Sequence, residues 1–253
     1  MKISALLIAR NEENKIEQCL QSLSFVDELI IVLDRSIDNT KSIAKKYSNK
    51  IYEGQWEYEG DRRNYGISKC SNEWILEIDA DEIVTSDLSK EIKYKIISSD
   101  FDFYYIKVLN FVYEYPVNHG WMSCLAPDGK FCLFKKGSKK WENQRVHPNY
   151  SINGKKGVEL KNCIQHKMSD NISELFLRFN RNTDLRAADL FESRNSFNHY
   201  FSIRKVFSRF LKCYIKRKGY KEGVIGLLIS VLCGLYLIVS AIKAENINKE
   251  HTN

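Results

Sequence analysis

The segment Trp74-Ile75-Leu76-Glu77-Ile78-Asp79-Ala80-Asp81-Glu82 is a short apolar run ending in two aspartates with one residue between them. The run has strand character, and side chains at i and i+2 of a strand face the same side. Asp79 and Asp81 are therefore expected to point together past a strand end, where their like charges call for a cation. Hard divalent ions such as Mg²⁺ and Mn²⁺ take carboxylate oxygens and keep positions open for phosphate. Such an ion can bridge a diphosphate and stabilise it as a leaving group.

Working back toward the N-terminus, residues 61–70 read as a helix, 50–52 as a short strand and 40–47 as a helix capped by Asn39 or Thr40. Residues 28–33 (ELIIVL) and 3–9 (ISALLIA) are apolar runs suited to buried parallel strands. Between them, Ile16, Cys19, Leu20 and Leu23 give residues 12–23 a helical spacing. This alternation predicts an α/β fold with a largely parallel sheet. Such sheets bind ligands beyond the carboxyl ends of their strands. Those ends carry Arg10, Asn11, Glu12 and Glu13 after the first strand, and Asp34 to Thr40 after the second. An acidic group after the second strand can accept hydrogen bonds from ribose or base N–H groups. No GxGxxG or GxxxxGK[ST] loop occurs, which tells against dinucleotide and P-loop chemistry. Phosphate held by a metal and by arginine needs no such loop, and Arg62 and Arg63 supply guanidinium groups.

Toward the C-terminus, residues 103–113, 129–134 and 158–166 read as strands extending the same sheet, and 172–190 as a helix. Aromatic residues cluster at 101–115 and 191–210. Core packing is their first role, and the earlier cluster is a candidate sugar-stacking platform. Residues 204–221 hold eight Lys or Arg among Val206, Phe207, Phe210, Leu211, Tyr214 and Ile215, a basic amphipathic helix. Residues 223–242 carry no charge. A helix of that length covers roughly the ~30 Å of a bilayer core. Three readings stay open for it: a helix lying in the membrane plane, a span, or a buried helix. In the first two, the basic block faces anionic cytoplasmic lipid and the catalytic part stays cytoplasmic. A nucleic-acid partner for the block is disfavoured by the apolar helix that follows it.

The whole chain of 253 residues has a net charge of +7, 43% hydrophobic and 28% charged residues, and only three prolines. That excludes disordered and fibrous classes. Seven cysteines without a CxxC pair are expected as reduced thiols rather than a zinc site or disulfide framework. No signal peptide is recognisable at the N-terminus.

The stretches ISALLIARNEE (3–13), ELIIVLDRSIDNT (28–40), GDRRNYGI (60–67) and WILEIDADE (74–82) together resemble the family-2 glycosyltransferases of GT-A fold. The likeness extends to the subgroup that adds glucose to the lipopolysaccharide core. It is specific over residues 1–100, weak over 100–190 and moderate over the tail. It implies a GT-A catalytic domain at 1–190, a mixed sheet with helices on both faces, and a helical membrane-associating tail at 191–253. By this resemblance Arg10, Asn11, Glu13 and Asp34 line the uridine-ribose site, and Arg63 holds base or phosphate. Asp79 and Asp81 serve nucleotide and divalent ion, with Asp81 the more direct ligand.

An inverting transferase needs a general base for the acceptor hydroxyl. The subgroup often carries His-Glu where this chain has His147-Pro148. Glu142 and His147 are the candidate bases, with Asp128 behind them, and His166 is a candidate third metal ligand. The expected reaction moves a hexose, glucose first, from a UDP-sugar to a lipid-linked saccharide such as lipopolysaccharide inner core, at the cytoplasmic face of the inner membrane. Two alternatives are a nucleotidyltransferase of the same α/β class and a non-catalytic, nucleotide-binding membrane adaptor.

Overall fold

The computed structural model describes residues 1–97, 99–193 and 200–252, with side chains through 250. Part of the aromatic cluster expected at 191–210 lies outside them. In chain order the elements are β1 (Ile3–Ala9), α1 (Ile16–Ser22), β2 (Glu28–Asp34), α2 (Thr40–Ala44), β3 (Ile51–Gly54), α3 (Glu59–Lys69), β4 (Trp74–Asp79), β5 (Glu82–Val84) and α4 (Ser86–Ile96). There follow β6 (Phe103–Val112), β7 (Tyr115–Val117), β8 (Gly129–Lys135), β9 (Lys139–Trp141), β10 (Tyr150–Ile152) and β11 (Ile164–Ser169). Three helices close the chain: α5 (Ile172–Glu192), α6 (Ile203–Leu211) and α7 (Gly223–Thr252). The main sheet runs β3-β2-β1-β4-β8-β6-β11-β5, with β7 on β6. The chain forms two compact units: 1–109, 129–144 and 148–167, and 110–128, 145–147 and 168–253.

In the first unit β3, β2, β1 and β4 are parallel, and β8 enters antiparallel beside β4. Every residue of β1 is buried, as an apolar run covered on both faces requires. Ala5, Leu7 and Ala9 pack with Cys19 and Leu20 of α1 and Leu88 and Ile92 of α4. Leu6 and Ile8 face the other way, toward Ile67 of α3 with Trp56 and Tyr65. Helices thus cover both sheet faces, and the GT-A-type α/β fold expected above is the one observed. The strand expected at 158–166 starts only at Ile164. Helix α4, whose Thr85 side chain accepts from Leu88 N–H at 3.2 Å, was not foreseen.

At the opposite end of the sheet from the strand tips, Glu28 joins β1, β2 and the loop before β4. Burial would raise its carboxyl. Lys50 Nζ at 2.6 Å, the Ser4 hydroxyl, and the Ser71 N–H and hydroxyl at 2.7 Å outweigh that and hold it near about 2, against an ordinary 4.5. The folded-state value lies below the unfolded one. Its stabilisation is therefore complete above about pH 4.5 and is lost as the pH falls toward 2, a swing of roughly 3 kcal/mol. Thermal midpoints of Glu28→Gln followed from neutral pH to acid should show a visibly shallower decline than the parent across this window. Parallel curves would contradict the assignment.

In the second unit α7 packs on α5 and α6 around Leu175, Ile229, Leu232, Cys233 and Tyr236. Its other face leaves Val224, Leu227, Val231, Leu235 and Ile242 exposed. The 219–250 helical stretch is long and apolar enough to cross a membrane by length and composition, yet half of its apolar window is buried. The single amphipathic helix expected at 204–221 is broken. After α6 comes a π-helical turn (Lys212–Lys216), then Lys218 in the left-handed region at φ 60° and a 3₁₀ turn (Gly219–Glu222). The break follows from close packing: a Cβ on Gly219 would lie 3.1 Å from both the Cys213 carbonyl and the Ser230 hydroxyl. All seven cysteines are free thiols, six of them buried.

Candidate active site

Parallel pairing brings the strand tips level. Ile8 of β1 stands opposite Asp79 of β4, and Ala9 stands opposite Leu33 of β2, so Arg10 and Asp34 follow side by side. Asp34 is buried and accepts from Arg35 Nε at 2.8 Å, Arg62 Nη1 at 3.0 Å and the Trp56 N–H at 3.3 Å. Burial pushes its carboxyl up, but these donors prevail and keep it below the usual range. Arg62 itself keeps a buried Nε with no hydrogen-bond partner among the described residues.

Asp79 is held from two sides. Arg63 Nη2 lies 3.0 Å from Oδ1 and Lys130 Nζ 3.2 Å from Oδ2. Burial opposes ionisation there, but the two cations hold the carboxyl far below its ordinary value. Lys130 also reaches Glu82 at 2.6 Å, and Glu82 accepts the Asp79 N–H at 2.9 Å. Burial raises the Glu82 carboxyl, with Asp79 adding to the effect and Lys130 opposing it. Arg63 is anchored by Glu59 at 2.6 Å and lies over the Trp141 ring at 5.0 Å.

The Asp79 carboxyl also feels the charge of Asp81, which opposes its ionisation. The chain turns at Ala80 and Asp81, which ends the strand alternation. Asp81 meets His166, with Oδ2 3.1 Å from Nε2 and both side chains buried. Among the described residues, no group of three or more His, Cys, Asp or Glu is arranged to hold a metal. Of the expected set, the fold joins Asp81 with His166 and commits Asp79 to Arg63 and Lys130.

Arg10 is exposed and has no partner among the described residues. Asn11, at φ 54°, accepts the Ile37 N–H at 2.9 Å, and Glu13 accepts the Asn39 N–H and side-chain amide at 3.0 and 2.9 Å. These two residues clamp the 35–39 loop behind Asp34. Glu142 is exposed in its side chain, and its carbonyl lies so near α3 that a Cβ on Gly60 would come within 1.8 Å of it. That packing keeps Glu142 beside the helix that carries Arg62 and Arg63. His147 sits in the second unit at φ 48°, its Nε2 3.3 Å from the Cys124 carbonyl and 3.4 Å from the Asn182 amide. Asp128 pairs with Arg217 at 2.7 Å.

Lys130 was absent from the sequence reading. Its only local mark is its place after Gly129 at a strand start, and its partners lie far back in the chain. Beneath the tips, Glu77 and Lys139 form a buried ion pair at 2.5 Å, and Trp141 Nε1 donates to Glu77 at 2.8 Å.

A sheet whose N-terminal half is parallel, with no glycine-rich phosphate loop and with carboxylates and guanidinium groups at its strand tips, is the arrangement expected of the GT-A class. The sequence profile of glycosyl transferase family 2 matches residues 4–173, and the chain belongs to that family. An uncharacterized glycosyltransferase of Rickettsia typhi is 25% identical over 265 residues, covering 100% of this chain and 89% of that protein. The lipopolysaccharide core biosynthesis glycosyltransferase LpsC of Rhizobium meliloti is 22% identical over 250 residues, covering 96% and 92%. The crystal structure of S. aureus TarS 1-349 in complex with UDP-GlcNAc shares the fold, with a TM-score of 0.50, 14% identity, and 99% and 92% coverage.

Proposed function

We propose that this glycosyltransferase is an inverting, divalent-metal-dependent enzyme that moves a hexose, glucose first, from a UDP-sugar to a lipid-linked saccharide such as lipopolysaccharide inner core. The reading is carried by the convergence of Asp34, Arg62, Arg63, Asp79, Lys130 and the Asp81–His166 pair at adjoining strand ends. The unpartnered Arg62 Nε beside Asp34 suits a base or ribose oxygen, and exposed Arg10 suits a phosphate. The TarS complex with UDP-GlcNAc and the name of LpsC support a UDP-sugar donor and a lipopolysaccharide acceptor.

One oxygen and one imidazole nitrogen side by side, both buried, fit Mn²⁺ or Mg²⁺ with positions left for diphosphate. Asp81 and His166 would hold the ion, which supplies charge neutralisation for the departing diphosphate. Asp79, fixed by Arg63 and Lys130, orients the nucleotide-sugar. Glu142 takes the proton from the acceptor hydroxyl as that oxygen attacks the anomeric carbon. His147, already engaged by Cys124 and Asn182, is the second choice. Residues 1–190 would form the catalytic domain. Residues 191–253 would seat it on the cytoplasmic face of the inner membrane through the exposed apolar face of α7 and the basic residues before it.

The test is product analysis with UDP-glucose, Mn²⁺ and core-type acceptors. Release of UDP with a glycosylated acceptor supports the reading. Release of pyrophosphate in a parallel reaction with UTP and glucose 1-phosphate would show a nucleotidyltransferase, and tight UDP binding without turnover would show an adaptor. Glu142→Gln should lower transfer about 10²–10⁴-fold while UDP binding stays as in the parent. Full transfer by this variant would remove Glu142 from the role.

A further inference from the structure

The second unit contains a basic cleft that the transfer chemistry does not use. Its volume is about 470 Å³, and its lining includes His119, Trp121, Lys212, Lys216, Arg217 and Lys218. Arg217 is spent on structure, donating to the Trp121 carbonyl at 2.6 Å and to Asp128 at 2.7 Å. His119 Nδ1 lies 2.5 Å from Glu222. Lys212, Lys216 and Lys218 are exposed, and none has a carboxylate partner among the described residues.

The cleft has fixed walls. Gly120 N–H donates to the Arg217 carbonyl at 2.9 Å, and the Cys213 thiol donates to the Gly120 carbonyl. Gly120 has φ 85°, and a Cβ there would come within 2.9 Å of Gly219 Cα. Lys218 is held in the left-handed region at φ 60°, a conformation that costs a non-glycine residue on the order of 1–2 kcal/mol. Backbone bent this way presents three like charges around one cavity, and an anion relieves their repulsion.

A phosphate group meets that charge. The same segment also leaves Leu211, Ile215, Tyr220 and Val224 exposed, 48%, 59%, 50% and 81% respectively. A free phosphate would leave those side chains in water, whereas a phosphate carried on acyl chains would bury them. We infer that the cleft binds the phosphodiester headgroup of an anionic lipid, with the interleaved apolar side chains entering the acyl boundary. The inference rests on the membrane-facing part of the proposed function and not on its transfer chemistry.

The test uses the full chain and co-sedimentation with phosphatidylcholine vesicles, with and without phosphatidylglycerol. The triple variant Lys212→Gln, Lys216→Gln, Lys218→Gln should lose on the order of 100-fold in affinity for the phosphatidylglycerol vesicles, at about 1 kcal/mol per surface lysine. Its binding to pure phosphatidylcholine should be unchanged, and the matching triple arginine variant should restore the preference. Equal binding of the glutamine variant and the parent to phosphatidylglycerol vesicles would overturn the inference. So would failure of the arginine variant to recover. Inorganic phosphate at constant ionic strength is the second arm. Its displacement of the parent from vesicles supports one site for both phosphates, whereas tight phosphate binding that leaves vesicle binding unchanged would assign the cleft to free phosphate instead of lipid. UDP-sugar hydrolysis in detergent, measured on the same preparations, reports separately on the transfer reading.

Discussion

Asp81→Ala is expected to lower UDP-sugar turnover on the order of 10²–10³-fold, the usual cost of losing one charge-stabilising group at a reacting centre. The fold gives Asp81 a singular place. It is buried, its Oδ2 meets His166 Nε2 at 3.1 Å, and its carbonyl accepts the Lys167 N–H at 2.8 Å. The backbone bond survives the substitution, so the turn stays in place while the ion proposed to bind here would lose an oxygen ligand. Turnover titrated with Mn²⁺ should show a right-shifted and lowered curve for the variant. Asp79→Asn should act differently, because it leaves Arg63 and Lys130 facing a neutral group and disturbs nucleotide affinity as well. Undiminished turnover by Asp81→Ala in the presence of a chelator would refute the metal role of this residue.

Lys139→Ala should destabilise the first unit by about 3–5 kcal/mol, since it strands the Glu77 carboxylate in the interior. The pair is buried on both sides, with Lys139 Nζ 2.5 Å from Glu77 and 3.9 Å from the Trp141 ring centroid. Among the described residues only Trp141 Nε1 would remain as a side-chain donor to Glu77. Burial already lowers the Lys139 ammonium against the pull of Glu77, a sign that desolvation here is severe. Chemical denaturation should show an earlier midpoint for the single variant. The double variant Glu77→Leu, Lys139→Met should recover most of the loss, because an apolar pair carries no stranded charge. A double variant as unstable as the single one would place the effect in packing around Trp141.

The parallel core was legible because buried strands read as unbroken apolar runs, and 3–9, 28–33 and 74–78 became β1, β2 and β4 with their tips in line. Helix α4 had its marks, a Thr85 cap and Leu88, Ile92 and Ile96 at a four-residue spacing, and was passed over. The three-residue strands β5, β7, β9 and β10 are too short for any period to show. The aspartate pair was visible, but its partners were not: Arg63 and Lys130 at Asp79 and His166 at Asp81 come from distant segments. Lys130 and Glu77–Lys139 depend on antiparallel pairing between distant segments, which no local pattern encodes. The amphipathic stretch 204–221 carried the right composition, while its π-helical turn and break arise from glycine contacts across the helices.

The insertion of β8 against β4 has a consequence for synthesis. Trp74 pairs with Lys135, and Leu76 with Leu133. A nascent chain emerging from the ribosome therefore exposes β4 as a raw apolar border until some fifty further residues have followed. An unpaired strand of this kind recruits other chains. Shuffled or shortened versions that keep the aspartates but drop the Gly129–Lys135 strand should precipitate rather than fold.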